Sequence, residues 1–268
     1  MGLRRGQNRT VSTSWISLPA AVADVSWLPY RPTLFLSASV PEFRSPEEFE
    51  RSDWQAVDRI NRDYVANARP ERIRAAVVAL TRVALRRPPM RLAFGAHPSI
   101  SPMILQAARN MEALPDSILV FQSEAYRDDI PGSTLDLADW SCGRLILTAK
   151  QPEPPFKPSP TSTGKPLRRL SPYANNLRFM RELMAAVPGT CGGVFIGGMN
   201  GVEDEADIFQ RVQRGKPRFA MPTTESAARR LDDRYPPEFN LSLPDPQAFR
   251  DTRSYTVAAS MVLDQVKP

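Results

Sequence analysis

The sequence predicts an α/β fold: a single Rossmann-like three-layer domain around a mostly parallel central sheet. Three observations lead there. Short runs such as Leu34–Leu36, Ile118–Phe121 and Val194–Ile196 are apolar at every position, the mark of strands covered on both faces. Between them lie stretches with apolar residues at helical spacing, clearest after Pro70. Each strand candidate then runs into Gly, Ser, Thr or Pro before the next helix, which is the grammar of a repeated strand-turn-helix unit.

Composition narrows the function classes. A chain of 268 residues can bury a large core, and 42% hydrophobic with 24% charged residues are the proportions of a soluble globular protein. No apolar run approaches the ~20 residues that span a bilayer, and the stretch from Ser12 to Trp27 is too interrupted for a signal peptide. Two cysteines, Cys142 and Cys191, with one histidine give neither a disulfide framework nor a metal site, so the expected location is the cytoplasm. A net charge of +6 admits an anionic partner. The basic residues are scattered, however, with no long Lys/Arg run and no aromatic-basic strip, so nucleic acid is not the expected one.

Taken in order, residues 1–32 lack periodicity and are expected to form an irregular arm over an edge of the sheet, with 33–268 as the domain. Thr33–Val40 is the first strand, and Ser37 and Ser39 near its end offer hydroxyls to a phosphate or ribose, or else satisfy their own turn. Residues 42–69 are charged and aromatic, a long loop or short helix on the ligand side. Pro70 opens a helix with Ile73, Ala76, Val77, Leu80, Val83 and Ala84 inward, framed by Pro88 and Pro89; its arginine face reads as solvated. Strand, turn and helix recur at Arg91–Met111, where Gly95, His97 and Ser99 occupy the turn. The lone His97 is either a hydrogen-bonded structural residue or a ligand contact. Ser117–Glu124 is the third strand, ending in Gln122 and Ser123, and Arg144–Thr148 the fourth, near an edge. The proline-rich residues 150–172 form a loop within one domain, because the same grammar continues beyond them. A helix follows from Tyr173 to about Val187, with Arg178 and Arg181 one turn apart. Arg218–Met221 leads into Thr223, Thr224 and Glu225, and one C-terminal helix is expected from Asp251 to Val266.

The centre of the pattern is the turn after Val194–Ile196: Gly197, Gly198, Met199, Asn200 and Gly201, then the acidic helix start Glu203-Asp204-Glu205. Glycine lets a phosphate approach the backbone, and a helix N-terminus presents unpaired N–H groups; an ordinary structural turn has the same composition. This stretch resembles the Pro-Gly-Gly-x-Gly-Thr-x-x-Glu signature of the LOG ("lysine decarboxylase-like") proteins. Those belong to the SLOG superfamily, which also includes the DprA/Smf proteins. Ile196 stands in place of the proline, Asn200 is one residue extra, and Val202 replaces the threonine. The variant Phe-Ile-Gly-Gly-Met-x-Gly-Val is similar to SLOG domains of prokaryotic conflict systems, found beside TIR and Sir2 effectors. Leu34–Pro41, Gly95–Pro102 (with Ala96 for a second glycine), the Gln122-Ser123-Glu124 ending and Thr223-Thr224 are similar to the same branch.

The resemblance implies a sensor domain that binds a nucleotide or NAD-derived small ligand, partnered by an effector protein and by further copies of the chain, with no cofactor. The loops offered to the ligand are Ser37–Ser39, Gly95–Ser99, Gln122–Ser123, Gly197–Gly201 and Thr223–Glu225, with an arginine to grip phosphate. Arg181 is the nearest match to the arginine of LOG enzymes, and Arg178 the second candidate. The alternative implied is a phosphoribohydrolase like the LOG proteins, cleaving an N-glycosidic bond with Glu205 and Arg181 as catalytic residues. Val202 in place of threonine and the shifted arginine rank that alternative second.

Overall fold

The computed structural model describes residues 18–41, 63–109, 111, 113–140, 142–152, 174–234 and 237–266. Six parallel strands form one sheet: β1 (Thr33–Ser39), β2 (Arg91–Gly95), β3 (Ile118–Ser123), β4 (Gly143–Thr148), β5 (Thr190–Gly197) and β6 (Arg218–Met221). Their order is β4-β3-β2-β1-β5-β6. The chain builds outward from β1 to β4, then returns to lay β5 on the other side of β1. The helices are α1 (Pro70–Leu85), α2 (Ser101–Ala108), α3 (Gly132–Asp139), α4 (Ala174–Ala185), α5 (Asn200–Val212), α6 (Ser226–Asp232), α7 (Pro246–Asp251) and α8 (Tyr255–Gln265). Most of residues 42–69 and of the proline-rich loop expected at 150–172 lie outside the described residues.

Alternation along each strand sorts the core into two layers. Leu34, Leu36, Val194, Ile196, Leu92 and Phe94 face α1, α2, α3, α7 and α8. Phe35, Phe195, Ala93, Leu119 and Phe121 face α4, α5 and α6. Both faces are buried against helices, so the strands lack a solvent-facing polar side, as parallel strands between helical layers require. The three layers meet the expected Rossmann-like architecture.

The two sheet edges are closed by different means. At β4, Val22 of the arm forms an isolated parallel bridge to Thr148, donating to the Leu147 carbonyl (2.8 Å) and accepting from the Ala149 amide (2.7 Å). Val25 and Leu28 then enter the α4-side core. At β6, buried Asn240 imitates a strand: its amide donates to the Arg218 carbonyl, Oδ1 accepts from the Ala220 amide (3.2 Å), and Nδ2 donates to the Ala220 carbonyl (3.0 Å) and to Asp232 (2.8 Å). Each edge is thereby partly covered, which shortens the ladder it offers to another chain.

Arg91 performs a similar tie at the opposite end of the strands. Fully buried, it donates from Nε to Thr33 Oγ1 (2.9 Å) and from Nη2 to the Pro188 carbonyl (3.1 Å), joining β2, β1 and the turn before β5. Burial pulls its pKa down to about 10, which leaves it charged at neutral pH.

The C-terminal helix expected from Asp251 is present as α8, beginning at Tyr255, and the short α7 precedes it. Asp245 caps α7 by accepting from the Ala248 amide (2.8 Å), Pro246 occupies its first turn, and the chain is extended at Thr252 before α8 begins. Helix α5 starts at Asn200, within the stretch read from the sequence as turn. Among the described residues no helix is long and apolar enough to cross a membrane.

Replacing Asn240 by Ala strips the hydrogen bonds from the Ala220 amide and carbonyl and puts a methyl side chain at φ 63°. The expected loss is ~2–4 kcal/mol in urea unfolding, against under ~1 kcal/mol for an exposed substitution such as Gln247→Ala on α7.

Candidate functional site

In an open parallel sheet the ligand crevice lies where neighbouring strands send their chains to opposite faces. Here that point is between β1 and β5: α1 packs on one face of the sheet and α5 on the other. Ser39, the last residue of β1, is in register with Gly197, the last of β5.

The turn itself is Gly197–Gly198, with φ of 55° and 84°. The sequence extends the turn to Gly201, but Asn200 and Gly201 already belong to α5. A Cβ on Gly197 would stand 2.4 Å from Ile73 Cδ1 of α1, and one on Gly198 only 2.2 Å from Val202 Cγ2 of α5. Both positions thus need glycine for conformation and for space. Met199, the residue before α5, makes no side-chain cap, so the first amides of this 13-residue helix gain no side-chain acceptor from it. The Gly197 amide is used: it donates to Thr224 Oγ1 (2.8 Å).

Arg181 of α4 lies along the first turns of α5. Its Nε donates to Glu205 Oε1 (3.0 Å), Nη1 stands 3.8 Å from Asp204, and Nη2 lies 3.0 Å from where a Gly201 Cβ would be. Gly201 is therefore small to admit the guanidinium. The Arg181 and Glu205 side chains are only 16% and 14% exposed, so this pair is shielded and better held than a surface bridge. Arg178, by contrast, is 63% exposed and pairs with Glu182 in its own helix. Glu203 is taken by other partners: it accepts from the Tyr64 hydroxyl (2.7 Å) and pairs with Arg230 (3.3 Å).

Ser37 and Ser39 point to the same sheet face as Phe35, towards α4 and α5. Ser37 is fully buried between Phe195 of β5 and the end of β2, and its Oγ has no hydrogen-bond partner. Ser39 Oγ lies 3.4 Å from the position of a Gly198 Cβ.

The other expected ligand residues are placed as follows. His97 Nδ1 receives the Ser99 amide (3.2 Å) and pairs with Ser99 Oγ (2.8 Å), which accepts from the Val40 amide (3.2 Å). As an acceptor, Nδ1 leaves the proton of the neutral ring on Nε2. This chain of bonds ties the β2 turn to the end of β1. Gly95 has ordinary φ, and what it provides is room for Met180 of α4, 3.4 Å from its would-be Cβ. Gln122 and Ser123 end β3, two strands from β1 and so ~10 Å away. Gln122 Nε2 donates to the Tyr126 carbonyl (3.2 Å), and Ser123 Oγ accepts from the Ala125 amide (3.2 Å). Thr224 is fully buried and donates to the Met221 carbonyl as well as receiving Gly197. Glu225 faces Arg72 of α1 at 4.0 Å, and Arg72 Nη1 donates to the Thr223 carbonyl (3.1 Å). Arg72 and Tyr64 at this rim have no motif in the sequence; only the fold brings them within reach of residues more than a hundred positions away. Among the described residues no group of three or more His, Cys, Asp or Glu is arranged to hold a metal ion.

A parallel sheet between two helical layers, with a glycine turn leading into a helix at its crossover point, defines a Rossmann-type domain. The chain belongs to the SLOG cluster3 family, whose model matches residues 63–146 and 171–243, more than half of its length. That membership points to a domain for a nucleotide-related ligand, or a LOG-like one. No curated protein matches the chain.

Gly198→Ala meets both a left-handed φ and the Val202 side chain. A loss of ~2–4 kcal/mol in chemical unfolding is expected. In a Val202→Ala background the added methyl group should cost less, because the contact with Cγ2 is removed, while the residue-202 Cβ, 2.8 Å away, and the backbone strain keep part of the penalty.

Proposed function

We propose that this chain recognises a nucleotide-derived small molecule at the β1–β5 crevice, as the sensor of a prokaryotic defence system that acts through an effector protein. The observation that carries the reading is the N-terminus of α5, which receives no side-chain cap from Met199, brought beside Ser39 by the Gly197–Gly198 turn and flanked by Arg181. A phosphate there meets backbone amides and the positive end of the helix dipole, and the Nη2 side of Arg181 lies over the same turn. The buried, unpartnered Ser37 hydroxyl and the shielded Glu205 carboxylate supply the complementary partners a ribose needs, one donor or acceptor and one strong acceptor. A ligand-responsive module needs affinity and a change of shape, and no proton-transfer group.

A second reading is supported by one feature. Glu205, held by Arg181 within the same crevice, is suited to stabilise the positive charge that builds on a ribose as its N-glycosidic bond breaks, while a water attacks the sugar. It ranks second because Val202 covers Gly198 with methyl groups where the LOG signature carries a hydroxyl.

Titration calorimetry with AMP, NAD and ADP-ribose tests the first reading. At least one is expected to bind wild-type protein. Arg181→Lys, which keeps a counter-charge for Glu205 but loses the planar fork, should weaken it about tenfold, or ~1.4 kcal/mol. No binding by any of the three contradicts the reading. Release of free base that stops in Glu205→Gln would put the hydrolase first.

A further inference from the structure

The turn after β6 contains two consecutive non-glycine residues with left-handed φ, Glu225 (62°, with ψ −162°) and Ser226 (57°). The only other such residues among those described are Asp116 and Asn240, whose short polar side chains tolerate this region. Glu225 falls instead in a region that is nearly glycine's alone. A residue stays there only when its surroundings over-determine it.

Those surroundings are specific. Thr224 Oγ1 receives the Gly197 amide (2.8 Å), and the Ala227 amide donates to the Gly198 carbonyl (3.1 Å), so the strained peptide is bracketed by two bonds to the glycine turn. Ser226 Oγ donates to the Tyr64 carbonyl (2.7 Å) in the helical turn at residues 63–67. Tyr64 returns to the site, its hydroxyl donating to Glu203 in the first turn of α5 (2.7 Å), with Arg230 of α6 stacked 5.0 Å over its ring. Arg72 holds the Thr223 carbonyl from the α1 side (3.1 Å). The bonds close a ring: glycine turn, strained turn, Tyr64, first turn of α5, glycine turn.

We propose that Glu225–Ser226 is a strained latch that couples the glycine turn to the helical turn at 63–67. This rests on the ligand reading of that turn. A ligand drawn onto the α5 amides competes for the position of Gly198 and of the first helical turn. When Gly198 shifts, the Ala227 bond goes, Glu225 relaxes to negative φ, and the Ser226–Tyr64 bond, one residue on, is lost with it. The stored strain lowers the barrier to that change, so ligand occupancy reads out as movement of Tyr64 and α6, on the outer side of the crevice.

The latch can be tested without any ligand, by ¹⁵N relaxation dispersion on the full chain. The amides of Gly198, Ser226 and residues 64–66 are expected to share one exchange rate in wild-type protein. Glu225→Gly, at home at φ 62°, should abolish that exchange and raise the melting temperature by a few degrees. Glu225→Gln, which removes the charge facing Arg72 but keeps the strain, should leave the exchange in place. Absent dispersion, unrelated rates at the three sites, or loss of exchange in Glu225→Gln overturns the proposal. Should Glu225→Gly fail to fold, Ser226→Ala, which removes the Oγ bond to the Tyr64 carbonyl, should uncouple exchange at residues 64–66 from that at Gly198, and a rate still shared by all three sites overturns the proposal. Because no nucleotide is added, a failure here is distinct from a failure to bind AMP, NAD or ADP-ribose.

Discussion

Two consecutive missing Cβ atoms set the geometry on which the rest depends. At Gly197 and Gly198 the end of β5 is pressed between Ile73 from one helical layer and Val202 from the other, with the Ser39 carbonyl and hydroxyl alongside. Helices on opposite faces of a sheet are normally held apart by its thickness, about 10 Å on each side. Here they converge at the rim because nothing but backbone stands between them. The same convergence turns the α5 N-terminus towards β1 and makes the crossover point a crevice. Any side chain added at this point acts on all three layers at once.

Charge is organised around that turn rather than spread over it. The acidic start of α5 is divided between two sets of partners: Glu203 goes to Tyr64 and Arg230, while Asp204 and Glu205 go to Arg181. Most of the rim's ionised groups are therefore committed before any ligand arrives. A ligand anion meets backbone amides and one edge of a guanidinium, not an open basic patch. This favours recognition by shape and hydrogen bonding over simple attraction, and it is consistent with the scattered basic residues of the chain.

Much of the fold was legible in the sequence, because strands buried on both faces are apolar at every position and helices are not. Register and strand order were not, since nothing local in Ser39 announces that it will stand beside Gly197. Within the site, glycine content marked the turn but not its place: Gly197 and Gly198 bend the chain, whereas Gly201 is small to admit Arg181. The spacing of Arg178 and Arg181 left both as candidates, and only the packing of α4 on α5 separates a solvated arginine from a buried one. The Asp245-Pro246 start of α7 carried its own cap signal, in a stretch to which sequence reasoning assigned no helix. Arg72 and Ser226 lay beyond sequence reasoning, because their partners depend on strand order alone.

The most direct measurement is an amide chemical-shift titration with a 5′-nucleotide that calorimetry shows to bind. The account predicts that Gly198, Met199, Asn200 and Gly201 shift first and furthest, followed by Ser39. Shifts confined to the opposite end of the strands, around Arg91 and Arg144, with the glycine turn silent, would contradict it.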